Sequence, residues 1–225
     1  MKYVITGSSS GLGYSITKKL INQGDVIGIS RRDRDIVTDE NSKYNFTHIR
    51  ADLSHVDVFS ERSNVIKCLN TCLQGHEITL ILNAGVFYSG SRRLEGDECT
   101  RLFRINLFSI MDLIRHVQKM NLKRIFFVNS ISGLIGQETQ HEYASSKHGL
   151  MGFVKSLIKD SRNKPYDIMV VNPGGIKTEL WNEYPAVDTD DFLNPDELAK
   201  IIVSLISIEQ RVFIPSFTIL PSSDI

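Results

Sequence analysis

Short apolar runs alternate with helix-length segments along this chain, and the alternation restricts its fold more than any other feature. We predict buried strands at 3–5, 26–29, 46–49, 78–82, 124–129, 168–171 and 212–214, separated by helices, because apolar residues such as Ile16 and Leu20 recur at helical spacing. Strands that are apolar on both faces, with helix-length connections, favour right-handed βαβ units and a parallel sheet covered on each side. A chain of 225 residues suits a single domain, 1–225, whose ligands lie at the carboxyl ends of the strands.

The composition argues against several classes of function. The 26 basic residues balance the 26 acidic ones, so the overall charge gives no reason to expect nucleic acid or a membrane surface as a partner. Cys68, Cys72 and Cys99 form an odd set without C-x-x-C spacing, and we expect neither a disulfide framework nor a metal site. No leader and no membrane-length apolar stretch follows Met1, which favours a cytoplasmic location.

A glycine-rich turn follows the first predicted strand and precedes a segment that looks helical from Tyr14 onward. It consists of Thr6-Gly7-Ser8-Ser9-Ser10-Gly11-Leu12-Gly13. Glycines suit this place because the chain must turn tightly, let a pyrophosphate approach its backbone, and present free N–H groups at the positive end of a helix dipole. A nucleoside triphosphate P-loop would need Gly and then Lys where Leu12 and Gly13 stand. The turn therefore predicts a dinucleotide site.

The spacing Thr-Gly-x-x-x-Gly-x-Gly resembles that of the single-domain short-chain dehydrogenase/reductase family. Ala51-Asp52-Leu53, Asn83-Ala84-Gly85 and the run from Asn172 through Pro173 and Gly174 to Thr178 resemble further elements of that family, each after a predicted strand. The resemblance covers most of the chain and implies a Rossmann-type, doubly wound, seven-stranded parallel α/β sheet with helices on both faces. It also implies contacts to a nicotinamide dinucleotide from Gly7, Ser9, Ser10, Gly11, Leu12, Gly13, Arg31, Arg32, Asp52, Leu53, Asn83, Ala84, Gly85, Tyr143, Lys147, Pro173, Gly174, Ile176 and Thr178.

Two arginines indicate which dinucleotide is preferred. The second strand ends at Ile29-Ser30-Arg31-Arg32, where an enzyme that prefers NAD usually carries an acid that bonds the ribose 2′-hydroxyl. No carboxylate occupies that place, and guanidinium groups bind phosphate in bidentate geometry. The sequence thus favours NADP(H) over NAD(H), while neutralisation of a plain basic surface by Asp33 and Asp35 stays open as the alternative.

The pattern Tyr-x-x-x-Lys occurs twice. Tyr14 and Lys18 lie on the helix that begins under the expected pyrophosphate, so we expect Lys18 in solvent. Tyr143 and Lys147 lie in a predicted helix over 141–159, which puts both side chains on one face. Ser130 stands thirteen residues before Tyr143, at the end of the fifth strand. This Ser…Tyr-x-x-x-Lys constellation is the one that the family uses.

The chemistry of carbonyl reduction explains these residue types. An alkoxide forms as hydride arrives, so the site needs an acid within hydrogen-bond reach and a donor that holds the oxygen. We assign Tyr143 as general acid in reduction and general base in oxidation, and we expect a nearby ammonium and the oxidised nicotinamide ring to lower its pKa from about 10. The resemblance assigns Lys147 to the nicotinamide ribose, Ser130 to the substrate oxygen, and Asn106 to a water chain that reaches the lysine.

These features favour an NADP(H)-dependent oxidoreductase that interconverts a carbonyl and a secondary alcohol. The alternatives are a catalytically silent dinucleotide-binding regulatory or scaffold protein, and a sugar-nucleotide epimerase or dehydratase. The polar connection 182–194 is either a lid or plain surface, and the resemblance implies a homodimer or homotetramer. Candidate contacts to the small-molecule substrate are Leu134, His141, Trp181 and Tyr184.

Overall fold

The computed structural model describes residues 1–34, 36, 43–90, 93–209 and 214–224, and the described chain forms one parallel sheet. In the order β3-β2-β1-β4-β5-β6-β7, all neighbouring strands are parallel. β2 and β3 are added on one side of β1, and β4 and the later strands are added on its other side. The point between β1 and β4 is therefore the topological switch point, where ligands of such sheets bind. The strands are β1 (Lys2–Thr6), β2 (Asp25–Ser30), β3 (Phe46–Arg50), β4 (Ile78–Leu82), β5 (Leu122–Val128), β6 (Asp167–Pro173) and β7 (Ser216–Ile219).

Helices cover both faces of the sheet. Neighbouring residues of one strand enter different apolar clusters: Val4 packs on the side of α2, α4 and α5, whereas Ile5 packs on the side of α1 and α6. This alternation follows from the two-residue period of a strand, and it confirms the predicted doubly wound fold. The helices are α1 (Gly11–Leu20), α2 (Asn64–Leu73), α3 (Gly96–Phe103), α4 (Ser109–Val117), α5 (His141–Asp160) and α6 (Pro195–Ile206), with a π-helical turn (Arg104–Phe108) between α3 and α4. Within the described part of the chain, no helix combines the length and apolar character needed to cross a membrane.

The first six predicted strands agree with the structure to within two residues at each end. The seventh was predicted too early: β7 is Ser216–Ile219, Ile214 lies before it, and residues 212 and 213 fall outside the described residues. The reason is that β7 is an edge strand in which exposed Ser216 and Thr218 alternate with half-buried residues, so it lacks a continuous apolar run. Helix α1 also begins at Gly11 rather than Tyr14, because its first residues carry no apolar periodicity.

A buried arginine, Arg124, connects β5, β6 and α6 near the amino ends of the two strands. Arg124 on β5 is 2% exposed, and its Nε and Nη2 each donate to Asp167 of β6 at 2.6 Å. Its Nη1 donates to the carbonyl of Leu205 at 3.0 Å and to that of Ile206, at the end of α6. The Leu205 carbonyl also accepts from the Ile208 N–H at 3.3 Å, so one guanidinium binds a carboxylate and adds to the hydrogen bonds at a helix terminus.

We predict that Arg124→Met lowers the free energy of unfolding by about 3–5 kcal/mol, because it leaves a largely buried carboxylate without its cation and removes a donor from the carbonyls at the end of α6. Urea unfolding measures this loss. Arg115→Met is the matched control, since the ion pair of Arg115 with Asp112 is exposed and should contribute at most about 1 kcal/mol. Equal losses in the two variants would contradict the role of Arg124.

Candidate active site

One cavity of about 840 Å³ opens at the carboxyl edge of the sheet. Segments that follow β1 to β6 line it, as expected for a doubly wound fold. Every residue that the sequence assigned to cofactor binding lies in this lining, and so do Ser130, Tyr143 and Lys147. The structure therefore brings the two halves of the predicted site into one space.

The glycine-rich turn has a backbone that only glycine adopts easily. Gly7 and Gly11 have φ values of +74° and +50°, in the left-handed region. A Cβ on Gly13 would lie 2.1 Å from the Gly7 carbonyl oxygen, which excludes any side chain there. Ser10 precedes α1 without a side-chain hydrogen bond to the first turn, and that turn carries no acidic residue. The start of α1 thus offers backbone N–H groups and a positive dipole end to the cavity.

Asn83 fixes the turn to the neighbouring strand. Its Nδ2 donates to the carbonyls of Thr6 and Gly7 at 3.2 and 3.3 Å. The Thr6 hydroxyl in turn accepts from the backbone N–H groups of Asn83 and Ala84, both at 3.1 Å. These bonds hold the ends of β1 and β4 together at the switch point.

Arg31 and Arg32 are exposed and line the cavity just after β2. The Asp33 carboxylate lies 3.2 Å from Nδ1 of His48, and Asp35 lies outside the described residues. Burial acts to raise the pKa of Asp52, but hydrogen bonds from Ser54 and the nearby charges of Arg31 and His55 outweigh it, so the pKa lies below its usual value. This end of the cavity therefore combines two guanidinium groups with one ionised carboxylate.

Sequence reasoning missed Arg34, which lies over the glycine-rich turn. Its guanidinium stacks 3.9 Å from the ring centroid of Tyr14 and donates to the Ser9 carbonyl at 3.1 Å. It also lies 3.6 Å from the carboxylate of Glu179, a residue far along the chain, so no local pattern indicated this position. Lys18 is exposed, as predicted.

Ser130, Tyr143 and Lys147 come from β5 and α5. Asn129 follows the last residue of β5, and Ser130 comes next. The Ser130 Oγ accepts from the Ser132 N–H at 3.2 Å. Lys147 is buried, donates to the Asn129 carbonyl at 3.4 Å, and places Nζ 5.8 Å from the ring centroid of the half-buried Tyr143. The helical spacing puts the phenol and the ammonium on one face of α5, as predicted.

The two ionisable groups are shifted towards their neutral forms. Burial raises the pKa of Tyr143, and the Ser130 hydroxyl only partly opposes this. The expected lowering of this pKa is therefore not found in the protein alone, where desolvation dominates, and the part of it that depends on the oxidised nicotinamide ring stays a prediction. Burial lowers the pKa of Lys147 to about 8. At neutral pH the phenol keeps its proton and the lysine stays mainly charged.

Asn106 is completely buried in the π-helical turn. Its Oδ1 accepts from the Val86 N–H and its Nδ2 donates to the Val86 carbonyl, both at 2.9 Å, while Nδ2 also donates to Ser146 Oγ at 3.1 Å. Asn106 therefore holds the segment after β4 against α5 and is not part of the cavity lining. Such π-helical turns occur often near functional sites.

Only one of the four candidate substrate contacts lines the cavity. Trp181 does, whereas His141 is exposed at the start of α5, Leu134 is exposed after the 3₁₀ turn Ile131–Gly133, and Tyr184 packs against Phe87 outside the lining. Sequence reasoning missed four residues that line the same cavity as Trp181, namely Phe87, Gln137, Gln140 and Phe192. Nothing in the sequence singled them out, because their approach to Tyr143 depends on three separate loops.

The connection 182–194 is anchored at several points. Tyr184 donates to the Phe87 carbonyl at 3.1 Å, and Lys177 pairs with Asp190 at 2.9 Å. Leu193 forms an isolated parallel bridge with Ile176. The segment 182–194 thus forms one side of the cavity.

A doubly wound sheet with a glycine-rich turn over such a cavity defines a dinucleotide-binding α/β protein, and comparison with known proteins identifies the family. The model of the short chain dehydrogenases matches residues 2–188. A 3-oxoacyl-(acyl-carrier-protein) reductase of Buchnera aphidicola is 28% identical over 201 residues, which are 84% of this chain and 79% of that protein. The chain therefore belongs to the short-chain dehydrogenase family, whose members are oxidoreductases that use a nicotinamide dinucleotide.

Solved structures support the same fold. A 4-hydroxyisoleucine dehydrogenase complexed with NADH matches with a TM-score of 0.84 at 23% identity, over 98% of both chains. The alcohol dehydrogenase from Thermococcus sibiricus, complexed with 5-hydroxy-NADP, matches with a TM-score of 0.83 at 17% identity, over 98% of this chain and 96% of that one.

The lowered pKa of Lys147 generates a prediction about stability. The folded protein releases this proton near pH 8 and the unfolded chain near 10.5, so between these values the unfolded state binds more protons and the stability contributed by this group rises with pH. The free energy of unfolding of the wild type should therefore increase relative to Lys147→Met between pH 7 and pH 10. Urea unfolding at several pH values measures the difference, with Lys155→Met on the exposed side of α5 as the matched control. A difference that stays constant with pH would contradict a buried, destabilised ammonium.

Proposed function

We propose that this protein is an NADP(H)-dependent oxidoreductase that interconverts a carbonyl and a secondary alcohol, with Tyr143 as its general acid and base. The observation that carries the proposal is the continuity of one cavity, which is lined both by the glycine-rich turn and by Ser130, Tyr143 and Lys147. A protein that only bound a nucleotide would have no use for a hydroxyl, a phenol and a buried ammonium in that space. Catalysis accounts for all three.

The residues present fit a nicotinamide dinucleotide. The uncapped start of α1 suits a pyrophosphate, because backbone N–H groups and the helix dipole both favour an anion. A Cβ on Gly11 would lie 3.0 Å from the Thr178 side chain, so the turn and Thr178 are neighbours that would hold the cofactor from two sides. Asp52 and Leu53 would take the adenine end. When bound, the dinucleotide supplies or accepts the hydride.

Tyr143 would move the proton. Burial keeps its hydroxyl protonated at neutral pH, so in reduction it donates to the oxygen that becomes an alkoxide. The Ser130 hydroxyl beside it provides a second donor to the same oxygen. In oxidation Tyr143 accepts the proton, and the Lys147 ammonium on the same face of α5 favours the phenolate that this step needs.

Lys147 and Asn106 would support this chemistry in different ways. An ammonium has three donors, and one of those of Lys147 is directed at the Asn129 carbonyl, which leaves others for the hydroxyls of the nicotinamide ribose. The amide of Asn106 is engaged by Val86 and Ser146. We therefore assign Asn106 as a positioning residue, which holds the segment after β4 against α5 and, through water, orients the lysine.

Arg31 and Arg32 support NADP(H) as the preferred cofactor. Both are exposed at the end of β2, where the ribose 2′ position lies in this fold, and a guanidinium matches a phosphate in bidentate geometry. Asp33 lies against His48, which makes neutralisation of these arginines by that carboxylate a poorer explanation.

We predict that Tyr143→Phe lowers kcat by at least about 100-fold, because a general acid contributes roughly 10²–10⁴-fold. The assay follows NADPH absorbance with a panel of ketones, aldehydes and quinones. Tyr166→Phe is the matched control, since Tyr166 is buried in the apolar core and does not line the cavity. Unchanged turnover in Tyr143→Phe would remove this residue from the chemistry.

A second prediction concerns the cofactor. Arg31→Ala should weaken NADPH binding by roughly 10- to 100-fold, as expected for a hydrogen bond between charged groups, and leave NADH binding nearly unchanged. Calorimetric titration of both cofactors measures this split, with the exposed Arg115→Ala as control. Equal affinity of the wild type for NADH and NADPH would contradict the assignment.

A further inference from the structure

Four aromatic side chains, Phe87, Trp181, Tyr184 and Phe192, form an aromatic wall beside Tyr143. The Phe87 ring centroid lies 4.9 Å from that of Tyr143, 5.0 Å from Trp181 and 5.2 Å from Tyr184. Trp181 lies 4.9 Å from Phe192, whose ring packs on the open backbone of Gly175. The wall therefore combines the segment after β4 with the segment after β6.

The polar groups of the wall are directed at the backbone. The indole N–H of Trp181 donates to the Ile176 carbonyl at 2.8 Å, and the Tyr184 hydroxyl donates to the Phe87 carbonyl at 3.1 Å. Indole has no other donor. Phe87, Trp181 and Phe192 are all half-buried and line the cavity, so the surface they present there is mainly apolar ring.

The position of Tyr143 determines which part of a substrate meets this wall. The reacting oxygen must lie within hydrogen-bond reach of the Tyr143 hydroxyl, at about 2.6–3.2 Å. A group attached to the carbonyl carbon is then only one or two bonds further away. Because Phe87 packs directly on Tyr143, such a group meets Phe87 and Trp181 first.

The charges at this end disfavour an acidic substrate. The segment 176–193 adds two carboxylates to the lining, Glu179 and Glu183, of which Glu179 pairs with Arg34 at 3.6 Å. The opposite side contributes the neutral amides of Gln137 and Gln140. The cations that an acidic substrate would have to use instead are Arg101 on α3 and Lys147, and Lys147 is the residue that we assign to the nicotinamide ribose.

We propose that the substrate carries an uncharged planar group, aryl or conjugated, next to its reacting carbonyl or carbinol carbon, and that this group stacks on Phe87 and Trp181. The proposal rests on the proposed function and adds the substrate class to it. Aromatic pairs contribute about 0.5–1.5 kcal/mol beyond burial of their area, so the preference for a flat ring over a saturated ring of similar size should reach about tenfold.

The test compares 1-phenylethanol, 1-cyclohexylethanol and 4-hydroxypentanoate as substrates with NADP⁺. We expect kcat/KM to be about tenfold higher for the phenyl than for the cyclohexyl alcohol, and lowest for the hydroxy acid. Trp181→Leu should abolish the difference between the two ring alcohols. Phe217→Leu on β7, whose ring packs on Phe126 away from the cavity lining, should retain it.

A binding measurement separates this proposal from the proposed function. Trp181 is the single tryptophan of the chain, so its fluorescence in Tyr143→Phe with NADP⁺ reports occupation of the wall without turnover. Equal kcat/KM for the two ring alcohols, preference for the hydroxy acid, or an equal loss for all three in Trp181→Leu would overturn the aromatic wall and leave the reaction class standing. Phenyl-selective quenching in Tyr143→Phe, together with no NADP⁺ reduction by the wild type, would overturn the reaction class and support the wall. Neither quenching nor reduction would overturn both.

Discussion

The parallel alignment of seven strands, with the central strands covered on both faces, is the constraint on which the rest of this structure depends. Because neighbouring residues such as Val4 and Ile5 must both be buried, on opposite sides, the sheet needs helices on both faces, and the crossovers that carry them return the strands in the same direction. Residues far apart in sequence consequently end at one edge. Asn83 reaches the Thr6 and Gly7 carbonyls there, and Lys147 reaches that of Asn129.

The same burial determines the electrostatics of the site. Helix α5 places a phenol and an ammonium where water is largely excluded, which raises the pKa of Tyr143 and lowers that of Lys147 to about 8. Neither shift helps the protein to fold, since a buried charge costs free energy unless it is well paired. In the proposed reaction the shifts are useful, because Tyr143 remains a proton donor at neutral pH and Lys147 supplies a charge that acts through little solvent. Here stability and the proposed chemistry oppose each other.

The sequence predicted the parts of this structure that depend on local patterns. Six strands were found because short, mainly apolar runs recur between helix-length segments, and Tyr143 and Lys147 were paired because helical spacing places them on one face. Strand β7 was misplaced because exposed Ser216 and Thr218 interrupt it. Leu134, His141 and Tyr184 were chosen for nearness along the chain, yet whether a side chain lines a cavity depends on loop packing. Phe87 and Arg34 were missed for the same reason, since their partners Trp181 and Glu179 lie far away in sequence.

A crystal structure of the protein with NADP⁺ and a bound alcohol would test directly whether Tyr143 meets cofactor and substrate in this cavity. We expect the pyrophosphate at the start of α1, the 2′-phosphate at Arg31, and the alcohol oxygen in hydrogen-bond contact with the Tyr143 hydroxyl while its carbon faces the nicotinamide ring. A nicotinamide ring bound outside the cavity, or a Tyr143 hydroxyl directed into the apolar core, would contradict it.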